Sequence, residues 1–131
     1  MEQLRIYTPE NSRKIPQRRK QTIRIARSGV ITFNTGVIDL VGLTTDHKVL
    51  LAQDPGRPTD WYFKVIEADQ MNGFDVRHTP GGQICFNCRF LANKLLDLFV
   101  PAEKTSAAVP VAKEPTEEGW WPLITSAIKE R

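Results

Sequence analysis

Hydrophobic and polar side chains alternate along two separate stretches of this chain, residues 22–27 and 74–78. Such alternation predicts β-strands with one buried face. Each stretch leads into a similar six-residue pattern, Gly29-Val30-Ile31-Thr32-Phe33-Asn34 in the first case and Gly82-Gln83-Ile84-Cys85-Phe86-Asn87 in the second. An apolar, helix-like stretch follows each pattern, at 35–43 and at 88–99. The chain therefore predicts a strand-turn-strand-helix unit that occurs twice, with the copies packed on each other because neither can bury its apolar face alone.

This arrangement predicts an α+β fold over residues 21–100: a small antiparallel β-sheet or barrel built from two strand-turn-strand-helix repeats, each ending in a helix. Asn34 is placed to cap the first helix and Gly42 to end it. Between the repeats, residues 47–53 and 61–68 predict two further strands. A length of 131 residues allows one such domain with a segment on either side.

Three segments outside this domain lack the pattern of a packed core. Residues 1–20 are basic with little apolar periodicity, which predicts a flexible arm. Residues 101–118 consist mainly of small and polar residues and proline, which predicts a disordered linker. Residues 119–131 contain two adjacent tryptophans, so this C-terminal segment either folds back onto the domain or binds a protein partner or a second copy. The residues of that candidate interaction motif are Trp120, Trp121, Pro122, Leu123 and Ile124.

Charge is distributed unevenly along the chain. The net charge is +3, but residues 1–27 hold eight basic and two acidic residues, a net charge of +6. A basic segment of this kind is typical of proteins that bind a polyanion, since lysine and arginine that neutralise phosphates release condensed counterions. The alternative is a solvated tail, or one that docks on an acidic protein. The candidate nucleic-acid-binding residues are Arg13, Lys14, Arg18, Arg19, Lys20, Arg24, Arg27 and, at the matching place of the second repeat, Arg77.

Residues 22–54 resemble the AbrB/MazE/SpoVT group of swapped-hairpin DNA-binding domains. The resemblance is carried by Ile25, Gly29, Ile31-Thr32-Phe33, the helix at 35–41, Gly42-Leu43, Lys48-Val49-Leu50-Leu51 and Asp54. It implies that Arg24 and Arg27 contact DNA from a β-layer, and that the protein forms interleaved homodimers. Because no strand is predicted after the second helix, two interpretations stay open. The chain supplies both halves of the two-fold unit itself, or it belongs to a different duplicated fold.

The sequence offers little for catalysis or metal binding. Cys85 and Cys88 form a single CxxC, and a zinc site would need two more ligands, for which the chain offers only His47 and His78. Neither a recognisable nucleophile turn nor a phosphate-binding glycine loop is found. We therefore predict a protein that is not an enzyme and that uses no metal or cofactor.

The remaining patterns concern location and ligand. No apolar stretch approaches the roughly 18–20 residues of a membrane span, and two closely spaced cysteines suit a reducing compartment, so we predict a cytoplasmic protein that does not contact membranes.

The aromatic stretch 61–63 either packs in the core or stacks on unpaired bases.

Taken together, these patterns predict a non-enzymatic DNA-binding protein, similar to a transcription regulator, with a single-strand binder as a variant. The alternative is a structural or assembly protein of a phage or mobile element, whose N-terminal arm and C-terminal tail make protein contacts.

Overall fold

The computed structural model describes residues 20–130. These residues form ten β-strands, two α-helices and a short 3-10 helix at Thr125–Ala127. The strands are β1 (Thr22–Ala26), β2 (Val30–Phe33), β3 (His47–Asp54), β4 (Arg57–Glu67), β5 (Phe74–Asp75), β6 (Arg77–His78), β7 (Ile84–Asn87), β8 (Ser106–Pro110), β9 (Trp121–Pro122) and β10 (Lys129–Glu130). The helices are α1 (Thr35–Val41) and α2 (Arg89–Phe99).

The chain is α+β, with the strands in two antiparallel sheets rather than in the single sheet or barrel predicted. The six-stranded sheet has the order β10-β8-β1-β2-β7-β6, and the four-stranded sheet has the order β5-β3-β4-β9. Their inner faces pack on each other, since the ring of Phe33 on β2 lies 5.4 Å from that of Phe63 on β4. Phe74 and Phe86 make a second contact between the sheets, with ring centroids 4.8 Å apart. Trp61 and Phe63 are both buried, so core packing accounts for two of the three aromatic residues at 61–63.

The two Gly-to-Asn patterns lie side by side, because β2 and β7 are neighbours in the six-stranded sheet. Their antiparallel register places Thr32 directly opposite Cys85. On both strands the isoleucine and phenylalanine side chains are buried. Alternation along the strands therefore turns the residues between them, Thr32 and Cys85, toward the other face.

The local signals for α1 are confirmed. The side chain of Asn34 accepts a hydrogen bond from the backbone N–H of Val37 at 2.9 Å, and Gly42 ends the helix in the left-handed conformation with φ of +70°. These two groups satisfy backbone donors and acceptors that a short helix leaves open at its ends.

Helix α2 buries a narrower face than its sequence suggests. Ala92, Leu95 and Leu96 are buried, at a spacing that forms one stripe of the helix. Phe90, by contrast, is 73% exposed and Leu98 44% exposed. The β1–β2 turn approaches the start of this helix so closely that a Cβ on Gly29 would lie 3.0 Å from the backbone of Arg89.

The prediction of a disordered linker over 101–118 is wrong for its central part. Strand β8 pairs with β1 along its whole length, from Thr22 opposite Pro110 to Ala26 opposite Ser106. Ala107 and Val109 are completely buried. The prediction relied on large apolar side chains, whereas here backbone pairing and two small side chains suffice, because the space beneath the strand is already filled by its neighbours.

The C-terminal segment folds back onto the domain, one of the two alternatives left open above. Strand β9 pairs with β4, with Tyr62 opposite Pro122 and Phe63 opposite Trp121. Leu123 is only 6% exposed. Trp121, Pro122 and Leu123 therefore contribute to the fold, and of the five candidate residues Ile124 is exposed. Binding of a partner by this segment stays a prediction.

Candidate nucleic-acid interface

The outward-facing side of the six-stranded sheet carries a set of basic side chains. Ile23 and Ile25 point into the core from β1, so Arg24 between them points to the opposite side. We call this side of the sheet the outer face. The residues on it that follow from strand alternation and register are Thr22, Arg24, Ala26, Val30, Thr32, Arg77, Cys85, Asn87, Ser106, Ala108, Pro110 and Lys129.

One residue from each strand lies in a single row across this face. Lys129 is opposite Ala108, and Ala108 is opposite Arg24. Arg24 is opposite Thr32, and Thr32 is opposite Cys85. Cys85 is in turn opposite Arg77. We call this line the cationic row, because it carries three basic residues: Lys129 and Arg77 at its two ends and Arg24 at an inner position.

The spacing within the row follows from sheet geometry. Neighbouring strands lie about 4.8 Å apart, so Arg24 and Arg77, three strands apart, are separated by about 14 Å and the whole row is about 24 Å long. All three basic residues are exposed, whereas the residues between them are half-buried or buried. The intervening residues Ala108, Thr32 and Cys85 also have small side chains, so none of them projects beyond the charged groups.

The outer face is positive without compensation. None of its residues named above is an aspartate or glutamate. The ion pairs found among residues 20–130 are Arg27 with Asp97 and Lys48 with Asp75, and neither involves the cationic row. Arg77 donates from Nη2 to the Asn87 side chain at 3.1 Å, a neutral partner that orients the guanidinium and leaves its charge in place.

A shallow depression of about 530 Å³ adjoins Arg24 on this face. Arg24, Ala26, Val30, Thr32 and Ser106 are among the residues that line it. A depression open to solvent at the middle of the sheet indicates that the outer face is accessible there.

Arg27, a predicted DNA contact, is engaged within the fold. Its Nη1 donates to the side chains of Asp97 at 2.8 Å and Asn93 at 3.1 Å. Its Nε donates to the carbonyl of Lys104 at 2.7 Å, and its Nη2 to the carbonyl of Pro101 at 3.3 Å. The guanidinium therefore joins the β1–β2 turn to α2 and the loop that follows, and these bonds use most of the donors that a phosphate would need. Arg27 therefore has a role within the fold, and its assignment as a DNA contact stays a prediction.

This role can be tested with Arg27→Leu. We expect a loss of about 1–2 kcal/mol in the free energy of unfolding, because hydrogen bonds to a charged group are lost and the half-buried side-chain oxygen of Asn93 loses this donor, while the other three acceptors are exposed to water. Urea unfolding followed by circular dichroism measures the loss. The stability of Arg27→Lys should lie between those of the unchanged protein and Arg27→Leu, since lysine keeps the charge but lacks the planar guanidinium group. An unchanged unfolding midpoint of Arg27→Leu, together with weakened DNA binding, would instead indicate that Arg27 contacts the ligand.

Most of the basic arm lies outside the described residues. The candidates Arg13, Lys14, Arg18 and Arg19 belong to that part. Lys20 is described and exposed. Its backbone carbonyl accepts a hydrogen bond from the side chain of Asn34, which ties the junction of arm and domain to the six-stranded sheet at the start of α1. Lys20, the last residue of the arm, therefore adjoins the sheet that carries the outer face.

Lys129 is the functional candidate that the sequence does not suggest. It lies near the C-terminus, more than a hundred residues from Arg24. Only the pairing of β10 with β8 brings it into the row. No local signal could have found it.

The cysteines and histidines do not form a metal-binding cluster in the part of the chain that the structure describes. Cys85 and Cys88 are free thiols, Cys85 being buried. The Nδ1 of His47 lies 3.0 Å from the backbone nitrogen of Thr44 and accepts its hydrogen. Across residues 20–130, no group of three potential metal-ligating side chains is found.

Comparisons with family models, with curated proteins and with solved structures find no match to this chain. Within the described part of the chain, neither helix has the length and apolar character required to cross a membrane.

Proposed function

We propose that this protein binds nucleic acid, most favourably duplex DNA, through the outer face of its six-stranded sheet, without enzymatic activity. The observation that carries the proposal is the cationic row, in which three exposed basic residues face outward with no carboxylate among the residues of that face. The basic arm adds a second, covalently attached source of positive charge. The resemblance of residues 22–54 to a DNA-binding family agrees with this proposal.

The dimensions favour contact with the phosphate backbone over reading of bases. A major groove about 12 Å wide admits a helix or a two-stranded ribbon. A face that carries its charges over about 24 Å is too wide to enter it, and spans about seven base-pair rises of 3.4 Å. The basic side chains of the row would then contact phosphates of the duplex, giving binding with little sequence preference.

The proposal includes a duplication of the strand pairs. Each residue of the first pair corresponds to one 53 positions later, as Gly29 does to Gly82. The register supports this: Arg24 is opposite Thr32 as Arg77 is opposite Cys85. Thr32 and Cys85, corresponding residues, are opposite each other, as a local two-fold axis between them would require. One chain would then supply both halves of the two-fold unit, in place of the homodimer implied by the family resemblance.

Assembly with other proteins is a second candidate function, favoured by the exposure of Phe90 and Leu98 on one side of α2. Large apolar side chains grouped on a surface are typical of protein contacts. The surface in question lies on the helix and not on the C-terminal motif that the sequence suggested.

A salt titration separates these candidates. We expect the full chain to bind a fluorescent 20-base-pair duplex at 50 mM salt, with a slope of log affinity against log salt of about −3 or steeper, since each phosphate contact contributes about −0.9. Fluorescence anisotropy gives the affinities, and a 20-nucleotide single strand serves as the comparison ligand. Absence of binding at 50 mM, together with oligomers whose size is the same at low and high salt, would favour assembly instead.

A further inference from the structure

The depression that adjoins Arg24 on the outer face has a lining rich in hydroxyl groups, and we call it the Arg24 depression. Its lining includes four alcohols and a second arginine: Ser28, Thr32, Thr105, Ser106 and Arg27. None of the residues that line it is an aspartate or glutamate. The depression therefore offers neutral hydrogen-bond donors beside a positive charge.

Ser106 is the only polar or charged side chain that is buried in the part of the chain that the structure describes, at 6% exposed. Its hydroxyl has no hydrogen-bond partner among residues 20–130. In the same range, every side-chain nitrogen or oxygen that is completely buried has a partner. The Ser106 hydroxyl is therefore not enclosed, and it is open to the depression that it lines. A donor in such a partly desolvated position forms a stronger hydrogen bond than one in bulk water.

Arg24 supplies the free positive charge of the depression. Its register partners are Ala108 on β8 and Thr32 on β2, and neither carries a charge. Its guanidinium has no ion pair or hydrogen bond among residues 20–130. Arg27, by contrast, pairs with Asp97 at 2.8 Å, so its charge is balanced within the fold. Arg27 therefore forms a fixed wall of the depression and adds no free charge.

The strand register brings Arg24 and Ser106 close to each other. Ala108 is opposite Arg24 and lies two residues from Ser106, so Arg24 and Ser106 are diagonal neighbours across the β1–β8 pair. Such neighbours lie about 7–8 Å apart, within reach of a long side chain. Ala26, opposite Ser106, lies beside them, and its methyl group leaves the space above it open. One small anion can therefore contact both residues.

We propose that the Arg24 depression binds one phosphodiester of the nucleic-acid backbone, with the Arg24 guanidinium and the Ser106 hydroxyl donating to its non-bridging oxygens. This inference rests on the proposed binding of nucleic acid by the outer face and assigns one contact of that interface. Arginine, serine and threonine side chains are common donors to phosphate in protein–DNA complexes. Hydrogen bonds to an ionised oxygen are short and strong. Ser28 and Thr105, which line the same depression, add donors along the sugar–phosphate chain.

Charge and position favour a backbone phosphate over a free phosphate group. A phosphodiester carries one negative charge, which one free guanidinium balances, whereas a phosphate monoester carries about −1.5 to −2 at pH 7. Lys129 and Arg77 lie two and three strands from Arg24, at about 10 Å and 14 Å. A single phosphate group cannot reach them, whereas a chain of phosphates can. The occupant is therefore part of a polymer that extends along the cationic row.

The two row arginines differ in their surroundings. Arg77 corresponds to Arg24, but it lies on β6, which ends the six-stranded sheet in the part of the chain that the structure describes. No strand beyond β6 in that part supplies a counterpart of Ser106. The position of Ser28 is held by Gly81 in the second unit, 53 residues later. Arg24 therefore acts together with hydroxyl donors, and Arg77 contributes mainly its charge.

Single substitutions in the full chain, combined with a salt titration of duplex binding, test this contact. Ser106→Ala should weaken binding of the fluorescent 20-base-pair duplex about three- to tenfold at 50 mM salt, because a hydrogen bond to a charged oxygen is lost. The slope of log affinity against log salt should stay the same, since a hydroxyl group releases no counterion. Fluorescence anisotropy measures both quantities.

The two arginines should differ in affinity and agree in slope. Arg24→Gln should weaken duplex binding about tenfold, since it removes a charged hydrogen bond in a built site. Arg77→Gln should weaken it about threefold, in line with an exposed ionic contact. Each variant should make the salt slope less steep by about 1. Both residues are exposed, so this comparison does not depend on the stability of Ser106→Ala.

Ser126→Ala is the matched control for Ser106→Ala. Ser126 is exposed on the 3-10 helix and does not line the Arg24 depression, and the same single hydroxyl is removed. Its duplex affinity should equal that of the unchanged protein. Urea unfolding should give Ser106→Ala an unchanged midpoint, since no hydrogen bond among residues 20–130 is lost. Equal affinities of the two serine variants, or equal losses from Arg24→Gln and Arg77→Gln, would overturn the proposal.

Nitrogen–proton correlation spectra separate failure of this contact from failure of DNA binding. The probes are the backbone N–H signals of Ala26 and Ser106, with the duplex or inorganic phosphate added at equal ionic strength. We expect the duplex to shift these signals and inorganic phosphate to leave them unchanged. Salt-dependent duplex binding without these shifts would reject the depression and keep the outer face as the interface. Absence of duplex binding would reject both, and shifts caused by inorganic phosphate alone would then assign the depression to a free phosphate.

Discussion

Reversing two charges of the cationic row, with Arg24→Glu and Arg77→Glu together, is expected to weaken duplex binding by about 100-fold or more at 50 mM salt. Loss of one phosphate contact is worth about tenfold when its energy is near 1.4 kcal/mol, and each glutamate adds repulsion from the phosphates. The slope of log affinity against log salt should fall by about 2, because two fewer counterions are released. Fluorescence anisotropy over a range of salt concentrations measures both quantities.

The matched control reverses two exposed charges elsewhere, with Arg57→Glu and Lys94→Glu. Arg57 begins β4 in the other sheet, and Lys94 lies on α2, so net charge changes equally while the outer face is untouched. We expect this pair to cost less than about fivefold, since neither residue lies on the outer face and salt screens the effect of exposed charges that make no direct contact with the duplex. If both double variants lose affinity equally, net charge alone drives binding and the row is not the interface.

Replacing Val109 by aspartate is expected to unfold the domain or to remove about 4 kcal/mol or more of its stability. Val109 is completely buried on β8, next to β1, and an ionised carboxylate there has neither water nor a partner. Urea unfolding followed by circular dichroism measures the change. Ala102→Asp is the control, because Ala102 is exposed in the same 101–118 stretch and should change stability by less than about 0.5 kcal/mol. Equal stability of the two variants would mean that this stretch is the spacer suggested by its composition.

Two parts of the candidate interface could be predicted without coordinates. Alternation around Arg24 indicates that it points away from the core, and the same holds for Arg77 in the second unit. Both residues are exposed in the outer face. Arg27, by contrast, looks equivalent to Arg24 in the sequence. Its engagement depends on Asp97, Asn93 and two carbonyls, all more than sixty residues away, and no local pattern reports such a partner.

Four local features follow from the sequence alone: the strand alternation at 22–26, the cap at Asn34, the helix end at Gly42 and the outward direction of the two row arginines. Each depends on the conformation of a few adjacent residues and on their affinity for water. The partners of β8, β9 and β10, the place of Lys129 in the row and the burial of the C-terminal segment follow only from the folded chain. Those depend on strand register between distant parts of the chain. Small side chains such as Ala107 become core only when large neighbours already enclose the space around them.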